Sequence, residues 1–121
     1  MGAMKAVWAE QQVKTLARLN DDFRLTGRGG FFAATKLVQS RGQPFINQTM
    51  RRIRRARRLT PRKCPNQERA HGQLTVNGTE LCWIIEYLKF GQLGLPSEDP
   101  CDPEQTTRRL MVMLPFEQRL N

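Results

Sequence analysis

The chain has 121 residues, with 20 Lys or Arg against 11 Asp or Glu for a net charge of +9, and 39% hydrophobic residues. That length suits one domain able to bury its own core without disulfides or metal, so 1–121 reads as a single domain. No apolar run approaches the roughly 18 residues that a membrane-spanning helix needs, and the N-terminus lacks the pattern of a secretory signal, so a soluble cytoplasmic protein with no membrane partner is expected.

Met1 to Ala3, ahead of Met4, read as an expression scar. From about Met4 to Phe23, Val13, Leu16, Ala17 and Phe23 recur at helical spacing among polar residues, which predicts an amphipathic helix. Thr26-Gly27-Arg28-Gly29-Gly30 stops it, because clustered glycines favour turns. The glycines do not read as a phosphate loop, which needs a preceding strand and a GK[ST] ending. Phe31 to Thr35 reads as a short strand, and Lys36 to Gln43 as a loop closed by Gly42 and Pro44.

Phe45 to Lys63 carries the strongest signal in the chain. Arg51, Arg52, Arg54, Arg55, Arg57 and Arg58 fall within eight residues. On a helical wheel from Phe45 to Arg58, Ile46, Thr49, Met50, Ile53 and Ala56 share one face. Arg51, Arg52, Arg54, Arg55 and Arg58 project from the other, and Arg57 lies on the apolar side at the last turn. Thr60-Pro61 ends this helix, and residues 60–71, with Arg62 and Lys63, read as a polar basic loop.

From Gly72 the period changes to two. GQLTV, Asn77-Gly78 and TELCWIIEYL predict a hairpin over 72–88, since Asn-Gly favours the type I′ two-residue turn. Opposed residues then sum to 155, so Val76 faces Thr79 and Leu74 faces Leu81, on one sheet face with Trp83, Ile85 and Tyr87. Gly91 to Pro103 is turn-rich and acidic. Residues 102–105 read as a brief turn before a strand from about Thr107 to Leu114. The fold class is therefore α+β: an N-terminal helix and a central basic helix packed on a small antiparallel sheet that contains the 72–88 hairpin and a C-terminal strand.

The elements in this order resemble a small, mostly proteobacterial domain family of unknown function. Its members carry an LND-FR element, a GG-strand, a helix, a hairpin ending in an aromatic-rich acidic strand, and a GS-DP-DP-T-R-L-IML-E close. Here these read Leu19-Asn20-Asp21-Asp22-Phe23-Arg24, Gly29-Gly30-Phe31-Phe32, Val76 through Tyr87, and Pro96 through Leu114 with Glu117 after it. The resemblance covers most of 16–117 and implies α+β architecture and association with plasmids and phages, hence a bacterial host cytoplasm. It supplies no activity. This chain departs from the family in its arginine-saturated helix and in continuing Tyr87-Leu88-Lys89-Phe90 where tyrosines and an aspartate are usual.

Charge distribution points to the partner. Residues 1–43 hold seven basic and three acidic side chains, 44–70 nine and one, and 71–121 four and seven. A basic middle beside an acidic end steers towards phosphate or an acidic protein face. Cys64, Cys82 and Cys101 with His71 lack the short ligand spacing of structural zinc sites, so neither metal nor another cofactor is expected. No serine or cysteine sits in a nucleophile motif, and Glu86, Asp99 and Asp102 read as charge partners of Arg57, Arg108 or Arg109 rather than as catalytic carboxylates.

A non-enzymatic protein of mobile-element type is thus expected. It would bind nucleic acid or a nucleoprotein through Arg51, Arg52, Arg54, Arg55, Arg58, Arg62 and Lys63, with Asn47 and Gln48 as candidates for base edges. The alternative is a phage or plasmid anti-defence inhibitor, anti-CRISPR or antirestriction in kind, whose basic helix docks on an acidic face of a host effector. A merely solvated basic face stands beside both.

Overall fold

The computed structural model describes residues 9–56 and 68–118. In chain order the elements are α1 (Glu10–Thr26), β1 (Gly30–Ala34), α2 (Lys36–Gln39), α3 (Gln43–Arg55), β2 (His71–Val76), β3 (Thr79–Lys89), β4 (Gln92–Pro96), β5 (Thr106–Met113) and α4 (Pro115–Gln118). The strands form one sheet in the order β1-β5-β3-β2, and β4 pairs with the far end of β3. This is an α+β protein.

The hairpin follows the predicted register at every pair from His71↔Ile84 to Val76↔Thr79. Asn77 and Gly78 take φ of 50° and 80°, the left-handed pair that a type I′ turn requires. β3 is long enough to pair with β5 from Cys82↔Met113 to Lys89↔Thr106 on its other side. Leu81, Trp83 and Ile85 therefore share a face with Leu110 and Val112, and all five are buried. Phe23 of α1, Val38 of α2 and Ile53 of α3 close over them. Each such side chain contributes about 1.5–3 kcal/mol on burial, so this layer decides where the helices lie.

Four local readings are revised. The sheet is mixed, because β1 runs parallel to β5 from Gly30↔Arg108 to Ala34↔Val112. Parallel neighbours need a long crossover, and the two strands are separated by residues 35–105, so no turn signal reveals their direction. Residues 36–39 are a helical turn and not loop: the Thr35 hydroxyl accepts from Val38 N, and Val38 is buried. Residues 92–96 form a strand where only turns were expected. Leu93 and Leu95 alternate there, but the strand is exposed throughout and lies among Gly91, Gly94 and Pro96, which read as turn residues. Its pairing with β3 is broken by a register shift between Leu88 and Lys89. The first helix runs to Thr26, three residues beyond Phe23, and Gly27 ends it in the left-handed conformation at φ 83°.

Gly30 has a separate role. A Cβ at this position would overlap the Arg108 carbonyl and lie 2.8 Å from the Phe23 ring, so only glycine lets β1 lie against β5 beneath α1.

Candidate nucleic-acid interface

α3 is two-sided as its sequence implies. Pro44 stands in its first turn, where a missing N–H costs nothing. Thr49 and Ile53 are fully or almost fully buried, with Phe45, Ile46 and Met50 packed at the edge of the core, while Arg51, Arg52, Arg54 and Arg55 are exposed. Like charges at i,i+3 and i,i+4, as between Arg51, Arg54 and Arg55, cost about 0.2–0.5 kcal/mol per pair. Burial of Ile53 alone outweighs them. Arg58, Arg62 and Lys63 lie outside the described residues, as do Arg57 and Cys64.

The four described arginines do different work. Arg52 donates from Nη1 to the Thr75 carbonyl of β2. Arg54 sits over the Phe32 ring, 6.0 Å from its centroid, and donates to the Thr26 carbonyl at 3.4 Å. Both are thereby tied to the flanks of the helix. Arg51 and Arg55, one turn apart, have no hydrogen-bond or ion-pair partner among the described residues and point to solvent with Asn47 one turn before them. Asn47 accepts from Gln43 Nε2 at 2.8 Å. Gln48, the other candidate for base contact, is taken up by the hairpin turn, where its amide pairs with that of Asn77 at 3.2 Å and 3.5 Å. Between α3 and the end of α1 runs an open groove of about 560 Å³ lined by Leu25, Asn47, Met50, Arg51, Arg54 and Arg55.

Two further arginines look like surface residues in the sequence but lie inside, and one of them, Arg24, holds the end of this helix. Arg24 of α1 is 1% exposed and Arg108 of β5 is 2% exposed. Arg24 donates from Nη1 to the Ile53 and Ala56 carbonyls, capping the C-terminal end of α3 where the helix dipole favours a cation. Asp21 lies 3.7 Å from its Nη2 and also pairs with Arg69 at 2.5 Å. Arg108 donates to Asn20 Oδ1 at 2.7 Å and to the Pro100 carbonyl at 2.8 Å, with its guanidinium over Tyr87. Asn20, fully buried, donates to the Glu68 carbonyl and to Tyr87 Oη, whose own hydroxyl donates to the Glu68 carboxylate. Burial lowers the Arg108 pKa against the pull of Tyr87, Cys101 and Glu68. Burial and the Glu68 hydrogen bond push Tyr87 well above its ordinary value.

Both sets were partly legible. Asn20 and Arg24 fall four and eight residues after Leu16, on the stripe that Leu16 and Phe23 define. A polar residue on an apolar stripe is the signal of a buried polar cluster. The acidic partners went as expected at one place: Glu86 binds Arg109 through two bonds of 2.8 Å on the opposite face of the sheet, which raises the Arg109 pKa. Arg108, the other expected surface cation, instead lies inside. Among the described residues no group of His, Cys, Asp and Glu is arranged to hold a metal ion, and no helix is long and apolar enough to cross a membrane.

An α+β domain with one basic helix displayed over a mixed sheet is the class defined by this geometry. The sequence profile of a family described as protein of unknown function (DUF3768) matches residues 34–117, and the chain belongs to that family. The match takes in α3, the hairpin and the C-terminal strand, and leaves out α1 with its LND-FR element and the Gly29-Gly30-Phe31-Phe32 element at the start of β1. No curated protein and no solved structure matches the chain.

Proposed function

We propose that this protein is a non-enzymatic binder of nucleic acid, alone or within a nucleoprotein, and that α3 is its contact element. One observation carries the reading: Arg51 and Arg55 form an outward ridge with no acid to neutralise them among the described residues, on a helix fixed from behind by Ile53 and by the Arg24 cap. A helix held rigid adds no backbone ordering cost on meeting phosphates, so only the two side chains have to be ordered, and each phosphate neutralised releases counterions. The mobile-element setting and the bacterial cytoplasm belong to the same proposal and rest on the resemblance to plasmid- and phage-associated proteins.

The test is fluorescence polarisation with single-stranded and duplex DNA and RNA at about 50 mM salt, repeated as salt is raised. Binding that weakens steeply with salt is the expected result. Absence of binding to every form sinks direct recognition. A pull-down from a bacterial lysate then decides whether the same ridge meets a host effector, the mode of an anti-defence inhibitor, through loss of a specific partner in an Arg51→Glu, Arg55→Glu variant.

A further inference from the structure

The groove beside the arginine ridge has walls and floor of opposite character. Arg51, Arg54 and Arg55 are cationic, whereas Leu25 of α1 and Met50 of α3 are apolar and half-buried, and Asn47 completes the lining. A phosphate by itself gains nothing from apolar surface, which strips its hydration without replacing it. A nucleotide matches both parts, since its base has apolar faces with a hydrogen-bonding edge and its phosphate is anionic. The volume of about 560 Å³ lies within the range of small-ligand sites.

Two details fit the same unit. The Phe32 ring and the Thr26 carbonyl hold the Arg54 guanidinium at the groove wall, and guanidinium planes are surfaces on which unpaired bases stack. Asn47 uses its carbonyl oxygen on Gln43, which leaves its NH₂ to donate to an acceptor on a base edge. Bases in a duplex are stacked within the helix and do not reach a recess between two protein helices, whereas those of a single strand do.

We propose that this groove seats one unpaired nucleotide of a single strand, its base on Leu25 and Met50 against Arg54 and its flanking phosphates on Arg51 and Arg55. The inference rests on the nucleic-acid reading above and narrows it to single strands, DNA or RNA.

The experiment compares a labelled single strand of about 12 nucleotides with the duplex of the same sequence, in DNA and RNA forms, for the unaltered protein, Met50→Gln and Asn47→Ala. The single strand should bind about tenfold tighter than the duplex. Met50→Gln should lose about tenfold on the single strand, with the salt dependence and the duplex affinity unchanged because no charge is altered. Asn47→Ala, at an exposed position, supplies the same comparison if Met50→Gln fails to fold, with an expected loss of about threefold. A methyl NMR titration should move Leu25 and Met50 with adenosine monophosphate and leave them in place with inorganic phosphate. Equal or tighter binding of the duplex, or single-strand binding unaffected in both variants, overturns the inference while the broader reading stands. Failure of every nucleic acid to bind overturns both.

Discussion

Arg24 donates to the carbonyl of Ile53 at 2.8 Å, joining the buried end of the first helix to the buried turn of the basic one. The same guanidinium reaches Ala56, the C-cap of α3. A helix rich in exposed arginine is thus anchored by an arginine that is not exposed.

Removing that anchor should cost more than a surface charge does. Arg24→Ala leaves two α3 carbonyls without their charged donor and takes from Asp21 the more distant of its two cations, Arg69 remaining, and the expected loss is about 3 kcal/mol. Urea unfolding followed by the fluorescence of buried Trp83 measures it. A change below about 0.5 kcal/mol, the usual effect of a surface substitution, contradicts the capping role.

Gly30→Ala tests the contact between β1 and β5. The added methyl meets backbone at Arg108 and the ring of Phe23, neither of which can swing aside, so β1 must leave its place. A loss of about 3 kcal/mol or more is expected from such overpacking, or failure to fold. Gly78→Ala makes a useful contrast: no atom lies within 4 Å of its Cβ, so only the backbone cost at φ 80° remains, about 1 kcal/mol.

Tyr87 is the single tyrosine of the chain, so its ionisation can be followed directly by absorbance near 295 nm. Its folded pKa lies above the ordinary value of 10.0 because of burial and the Glu68 hydrogen bond. The folded state therefore holds its proton where the unfolded state has released it, and stability falls as pH rises above 10. Tyrosinate should appear together with unfolding and not before it. Tyr87→Phe should remove the part of the alkaline dependence that sets in above 10.0, leaving the part due to Cys82 and Cys101, whose thiols burial also pushes up. Near neutral pH it should cost about 1–2 kcal/mol because Asn20 and Glu68 lose a partner.

Arg51 and Arg55 should matter to binding and not to stability. Replacing both with Ala should leave the urea midpoint within about 0.5 kcal/mol of the unaltered protein, since neither side chain is tied down. If each neutralises one phosphate, the slope of log affinity against log salt should flatten by about 1.8 for a duplex ligand. Arg52→Ala, which breaks the bond to the Thr75 carbonyl, should instead lower stability by about 1 kcal/mol. An unchanged slope in the double variant would show that the ridge does not touch phosphate.

The parts of this protein that were legible in its sequence are those fixed by neighbours in the chain. The period of two around Asn77-Gly78 determined the hairpin and its register, because a two-residue turn leaves one way to align the strands. Helical spacing likewise assigned Ile53 to the core and Arg51 and Arg55 to the surface. Tertiary structure alone decided what contacts distant in sequence decide. These are the parallel pairing of β1 with β5, the bulged pairing of β4, and the burial of Arg24 and Arg108. Charge marks an arginine as a surface residue only while water is its best partner, and here carbonyls and an amide brought in by other elements replace the water. The same distinction divides the arginines of α3: its sequence presents them alike, and the fold ties Arg52 and Arg54 to their neighbours while leaving Arg51 and Arg55 exposed beside the groove.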